Sequence, residues 1–421
     1  MIEFKLSNAV ERMQQITHAV AEGMMRPISR EYDEREHEKP WDFIRTMWNV
    51  SKDNPIGGKR SKGGNGAAAA AAEAEGEAAD GNEHNERNLG MCVSVEELSW
   101  GDAGLYLSIP NAGLGGAAVN AAGTAEQRHR FLDRFKEGDP KWAAMAITES
   151  GCGSDSAAIQ TTAVRDGDSW ILNGEKIFCT SGLMAGQESK GFVVVWATVD
   201  KAAGRAGIKA FIVDAGTPGM KVTKVEKKLG IRASDTASLV FTDCRIPLTN
   251  ILGSPDVPKT SEGFKGVMAT FDATRPLVAA SAIGVARAAL DFVKDELCKG
   301  EFSLRYGVAP TKLTAIERDI MDMETQLHAA RLLTWRAAAM LDEGQRNNLE
   351  ASMAKAKAGL VVTQVTQKAV ELLGPLGYSR NCLVEKWMRD AKINDIFEGT
   401  QQINMLIVAR RILGYSRQEL P

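Results

Sequence analysis

The spacing of apolar residues changes twice along this chain and divides it into three parts. From about residue 5 to 50, Leu6, Val10, Met13, Ile16 and Val20 recur at three- and four-residue steps, which predicts one face of a first helix. Pro27 is expected to end or bend that helix, because a proline ring removes a donor and crowds the preceding turn. Helical spacing resumes from Val93 to about Phe135. Near residue 141 the pattern turns to short β-prone runs: Ser169–Phe178, Gly191–Thr198, Ile208–Asp214 and Ser238–Asp243. Inside the first run, Asn173-Gly174 tolerates the positive φ angles of a type I′ turn and predicts a hairpin there. Beyond residue 260, long amphipathic segments cover roughly 264–298, 314–343, 350–373 and 400–413. Alanine is frequent in them, which favours helix and close packing.

These patterns predict a mainly α fold with a central β domain. The expected order is an N-terminal helical domain (1–140), a β-barrel-like domain (141–255) and a C-terminal four-helix bundle (256–421). One segment, 57–88, breaks the first domain. It runs from Gly57-Gly-Lys-Arg-Ser-Lys-Gly-Gly-Asn-Gly into six alanines and an acidic Ala/Glu/Gly stretch. Its composition is that of a flexible low-complexity insertion at the surface.

Composition narrows the function classes. The chain has 421 residues, 44% hydrophobic, with a net charge of −3 and interspersed acids and bases. A nucleic-acid footprint would be strongly basic. Six cysteines are widely spread without a CxxC, and the five histidines form no HxxxH pair, so neither a disulfide framework nor a metal centre is expected. No uncharged apolar run suggests a membrane span, and Met-Ile-Glu-Phe-Lys-Leu-Ser lacks the plan of a signal peptide. A cytoplasmic protein is the expectation.

Four short blocks could carry chemistry. Near the end, Phe397-Glu398-Gly399-Thr400 sets a carboxylate beside a glycine and a threonine, just ahead of a helical run. A carboxylate held by backbone against a substrate is a candidate base, although many glutamates before a helix simply sit near its positive end. Thr148-Glu-Ser-Gly-Cys-Gly-Ser-Asp155 offers small residues and backbone N–H groups to a phosphate. It lacks the third glycine of GxGxxG and any βαβ context, which excludes a Rossmann reading. Phe178 and Thr180 fall on one face of an extended strand, where they could cover a flat ring and bond its edge, or simply serve the core. Asp272 and Arg275 are three apart and could pair along a helix or meet a charged ligand.

Taken together and in order, these blocks resemble the acyl-CoA dehydrogenases. The others in register are Asn173-Gly-Glu-Lys-Ile-Phe-Cys-Thr180, Ser234-Asp-Thr236, Phe271-Asp-Ala-Thr-Arg275-Pro and Met388-Arg-Asp-Ala-Lys. The resemblance covers nearly the whole chain outside the insertion, and the Phe271–Pro276 block looks most like the medium-chain branch. It implies a bound FAD and an acyl-CoA thioester oxidised between Cα and Cβ, with electrons passed to an electron-transfer flavoprotein. By the family pattern, Met145, Ile147, Thr148, Gly153 and Ser154 line the flavin. Phe178 covers its ring, Cys179 and Thr180 flank it, and Thr400, Gln401 and Gln402 hold its phosphates. Ser154, Thr198, Asp272, Thr274, Arg275 and Gly399 would meet substrate. Glu398 would remove the α-proton, as desolvation raises its pKa toward working pH.

Two departures qualify the resemblance. Relatives carry Arg-x-x-Phe-Gly followed by a Gln, a region that approaches the FAD of a neighbouring subunit. This chain has Lys299-Gly-Glu-Phe-Ser-Leu-Arg305-Tyr-Gly307 and Thr314 there, so Arg305 is a displaced remnant or a coincidence. Glu371, Leu373 and Gly374 stand where relatives have a cofactor-contacting Gln-x-Leu-Gly-Gly, with Pro375 replacing a glycine. Three assemblies fit: a homotetramer, a heterotetramer with a related chain that shares FAD contacts, or a non-catalytic acyl-CoA-binding subunit.

Overall fold

A computed structural model describes residues 5–53, 85–253, 262–300, 302–416 and 419–420. Residues 57–84 of the expected insertion lie outside them, and 85–88 already lead into a helix. The N-terminal helices are α1 (Asn8–Val20), α2 (Ser29–Glu34), α3 (Trp41–Asp53), α4 (Arg87–Ser108), α5 (Gly113–Ala122) and α6 (Ala125–Leu132). Among the described residues seven strands follow: β1 (Ala143–Ala146), β2 (Thr162–Asp166), β3 (Ser169–Thr180), β4 (Phe192–Thr198), β5 (Ile208–Asp214), β6 (Met220–Val225) and β7 (Thr236–Pro247). The chain ends in α7 (Glu262–Cys298), α8 (Ala315–Asp342), α9 (Asn348–Leu373), α10 (Pro375–Tyr378), α11 (Val384–Ala391) and α12 (Gln401–Leu413). The expected class stands: helices on either side of a curled central sheet.

The first helix is rotated from its expected face. Val10 is buried, but Met13 and Ile16 are exposed. Polar anchors set the rotation: Gln14 Nε2 and His18 Nδ1 each lie 2.8 Å from the Glu97 carboxylate on α4. Pro27 bends the chain rather than ending it. The backbone passes from α1 through a π-helical stretch, Ala21–Met25, into a 3-10 turn, Arg26–Ile28.

The sheet runs β1-β4-β2-β3-β7-β6, with β5 also on β4. The Ile177 N–H of β3 donates to Thr148 O just past β1 (2.9 Å), so the strands curl back on themselves. The expected hairpin at Asn173-Gly174 is not there. β3 is one continuous twelve-residue strand, and Gly174 (φ 144°) marks a register shift against β7. A Cβ on Gly174 would lie 2.6–2.8 Å from Thr161, so glycine serves close approach, not reversal. The turn falls at Gly167-Asp168, where Asp166 pairs Ser169 and Gly167 is left-handed (φ 57°).

The bundle is built on α7, α8 and α9, with α4 packed against α7 and α8. Over Met268–Cys298, α7 is long and apolar enough to match a membrane span in length and composition. Most of that stretch is buried inside the protein.

A buried ion network locks the three regions together. Lys386 on α11, 1% exposed, lies 2.7 Å from Asp102 on α4 and 2.5 Å from Asp390. Ser29 also donates to Asp102, and Asp390 accepts the Ile231 N–H of the β domain (2.5 Å). Burial opposes the Lys386 charge, but the two aspartates outweigh it and hold its pKa above the ordinary lysine value. Lys386→Met would leave two buried carboxylates facing each other. We expect a loss of about 3–5 kcal/mol, seen as a lower urea midpoint.

Candidate active site

Glu398 lies between a 3-10 turn, Lys392–Asp395, and α12. Its backbone is left-handed (φ 56°), and Gly399 follows with φ 91°. A non-glycine residue seldom adopts such a φ without surrounding constraint. Asn404 supplies it: its buried amide donates to Gly399 O and Thr400 O, both at 2.9 Å. Thr400 caps α12 by accepting the Ile403 N–H at 3.3 Å. A Cβ on Gly399 would lie 3.3 Å from the same Asn404 amide, which leaves little room for a side chain.

A stretch of α7 three turns in from its start faces this loop. Thr274 Oγ1 donates to Glu398 Oε2 at 2.9 Å, across 124 residues of sequence. Arg275 is buried and pairs with Asp272 (3.1 Å), which also accepts from Asn348 Nδ2 (2.7 Å). Burial raises the pKa of Glu398 above the ordinary carboxylate value. The Thr274 bond, Arg275 and Lys355 only partly offset it.

The sheet supplies a second cluster. Phe178 is 60% exposed and left-handed (φ 57°), an unusual state for a bulky ring. Cysteine 179 turns inward, its thiol near Met145 O (3.5 Å), and Met145 is itself a core residue. The Thr148–Asp155 loop is pinned from below. Glu149 accepts from Lys176 Nζ (2.7 Å), Thr161 Oγ1 (2.6 Å) and the Gln160 N–H (2.6 Å). Above it, a Cβ on Gly151 or Gly153 would meet nothing within 4 Å, and Ser154 is exposed. Ile147 and Cys152 belong to the same apolar cluster as Phe271, which lies one turn before Thr274 on α7. An exposed aromatic face, open glycine backbone and the Thr148 and Thr180 hydroxyls suit a flat, polar-edged ring such as a flavin.

Other expected residues are elsewhere or otherwise engaged. Thr198 is buried where β2 meets β4, its hydroxyl 3.4 Å from Ile159 O. Glu371, Leu373 and Gly374 close the far end of α9, where Glu371 pairs with Lys368 (2.9 Å). From Ser352, beside Arg275, to Glu371 is roughly 28 Å along the helix, so one chain does not bring them to Glu398. Gln401 and Gln402 form the first turn of α12 beside the base. Arg305 grips Glu317 with two bonds of 2.7 Å and donates to Lys312 O, locking the Thr314 capping box of α8.

Three residues near the base carry no motif. Asn404 fixes its loop, Lys355 on α9 is buried behind it, and the Tyr106 phenol on α4 is desolvated close enough to feel its charge. Lys355 and Tyr106 look ordinary in sequence because their role comes from helices packed across the fold, whereas Asn404 acts locally, four and five residues beyond its acceptors.

Residues 144–244 match the acyl-CoA dehydrogenase middle domain, and residues 261–413 match the acyl-CoA dehydrogenase C-terminal domain. The chain is 41% identical over 327 residues to the mitochondrial short-chain specific acyl-CoA dehydrogenase of Bos taurus, covering 77% of this chain and 76% of that one. It is 34% identical over 413 residues to a short-chain specific acyl-CoA dehydrogenase of Clostridium acetobutylicum, covering 98% and 100%. The butyryl-CoA dehydrogenase structure from Megasphaera elsdenii matches with a TM-score of 0.81 at 32% identity, covering 98% of this chain and 100% of that one. The chain belongs to the acyl-CoA dehydrogenase family. The three relatives named here are short-chain and butyryl ones, which corrects the medium-chain resemblance of the Phe271–Pro276 block. That block does not report acyl length: Asp272 and Arg275 engage each other, and Thr274 engages Glu398.

Thr274→Val should remove a charge-assisted bond from the carboxylate. We expect about a tenfold loss of kcat/KM at the acid end of the pH profile, with Thr274→Ser close to wild type.

Proposed function

We propose that this chain is an FAD-dependent dehydrogenase of short-chain acyl-CoA thioesters, with Glu398 as the α-proton base. The observation that carries the reading is the half-buried Glu398 carboxyl, held in a left-handed loop by Thr274 from within α7. The Thr148–Ser154 loop, Phe178 and Thr180 would hold the isoalloxazine. When bound, FAD accepts hydride from the substrate. The chain's own residues do the rest. Glu398 takes the proton at Cα, Thr274 holds its carboxylate in one orientation, and Asn404 holds the loop that aims it. Gly399, with no Cβ, lets that loop close against the Asn404 amide beside the base. An electron-transfer flavoprotein would receive the electrons, as the family resemblance implies.

The half-buried Tyr106 phenol feels the Glu398 charge, and if its ring lines the acyl end of the site it would favour a short chain. Tyr106→Val should raise the octanoyl-to-butyryl ratio of kcat/KM about tenfold. No gain for longer chains would remove Tyr106 from the pocket.

One observation favours a shared assembly. Arg305 is bound to Glu317, and Glu371 lies at the opposite end of α9 from the base, so a neighbouring subunit would complete the cofactor clamp. Mass and FAD stoichiometry of the purified chain, alone and with co-expressed relatives, separate a homotetramer from a heteromer. Tight acyl-CoA binding without flavin would instead support a non-catalytic subunit.

The decisive experiment is Glu398→Gln. The variant should retain FAD yet lose bleaching by butyryl-CoA by at least about a thousandfold. Bleaching at the wild-type rate would refute the base. Because burial raises the carboxyl's pKa, kcat/KM should climb with pH through a limb above 4.5, as the base becomes ionised.

A further inference from the structure

Ser352, Lys355 and Gly359 follow one another along a face of α9 at three- and four-residue steps. Ser352 Oγ is 3.4 Å from Arg275 Nη1. At the other end, a Cβ on Gly359 would lie 2.8 Å from Asn394 O and 2.9 Å from Asp395 Oδ1. Lys355 therefore stands between the arginine near Gly399 and the turn that leads into Glu398. It is 1% exposed, and its Nζ meets no acceptor among the described residues. Asp395 Oδ1 and Asn404 Oδ1 are also buried without a partner there. An interior lysine without an ion pair is costly, and a chain selected for stability alone would favour an apolar residue. Burial brings its pKa down to about 8, against the opposing pull of Asp395 and Glu398 and with a further push down from Arg275.

We propose that Lys355 is a positioning residue for the base, a fixed counter-charge behind the Glu398 carboxylate that keeps it ionised as the acyl chain dries the site. The proposal rests on Glu398 being the base. Around Glu398 the charged and titratable groups are Arg275 from α7, Lys355 from α9 and Tyr106 from α4, with Thr274 as hydrogen-bond donor. Lys355 in turn faces Arg275, Asp395 and Glu398. Removing its charge makes the carboxylate harder to form, so the base stays protonated to higher pH. It does not weaken the base once ionised.

The test is the pH profile of kcat/KM for Lys355→Gln and Lys355→Arg holoenzyme, with melting temperature and FAD content measured alongside. Lys355→Gln should lose about tenfold at pH 6 and return to within about twofold of wild type above pH 9. Lys355→Arg, which keeps the charge, should restore the acid side. An equal loss at every pH, or an unmoved acid limb, would overturn the proposal. If the glutamine variant fails to fold, the coupling is read from the other partner. In 13Cε-lysine NMR, the Lys355 pKa should fall in Glu398→Gln relative to wild type, and an unchanged value sinks the idea. The activity of Glu398→Gln tests the base itself, so the two readings fail separately.

Discussion

The buried Lys386 ammonium is the constraint on which the arrangement of the molecule depends. Its partners come from different regions: Asp102 from α4, and Asp390 from its own helix. Asp102 leaves the helical conformation altogether (φ −169°, ψ 120°), and its Oδ1 takes the Leu105 N–H at 2.8 Å as α4 resumes. Asp390 reaches the β domain through Ile231. A buried ion pair contributes little net stability relative to an apolar core, but losing one member is severe. Such a network selects one packing of N-terminal helices, sheet and bundle over others. It also fixes the start of the segment that ends at Glu398.

From there the site is assembled by elements that meet only in the folded state. The 3-10 turn delivers Glu398, α12 holds its loop through Asn404, α7 supplies Thr274, and α9 sets Lys355 behind it. Local geometry and electrostatics act on the same group. Burial favours the protonated acid, while one hydroxyl and two cations draw it back toward the carboxylate. The sheet side is arranged by the same means. Glu149 and Lys176 pin the Thr148–Asp155 loop from beneath, and its upper surface stays open.

The parts legible in sequence were those with strong local signals. Long amphipathic alanine-rich runs located α7, α8 and α9, because their period survives packing. The Glu398-Gly399-Thr400 block was legible because its cap and glycine are local features. Asn173-Gly174 misled because the same dipeptide serves either a turn or a close crossing, and the crossing by Thr161 is a tertiary fact. Met13 and Ile16 misled because Glu97, a partner 79 residues from His18, rotates α1. Lys355 left no signal, since a helical lysine reveals its neighbours only once helices pack; the Asn404 partners are local, but a helical asparagine carries no mark that it braces the loop before it.

The left-handed backbone of Glu398 has a consequence for how this protein can change. Glycine would adopt that φ without strain, and a neutral side chain would avoid desolvating a carboxyl. Position 398 is therefore one where folding alone would reject the glutamate. Selection for thermostability without a test for turnover should drift away from it. A sequence that keeps Glu398 is one still screened by its chemistry.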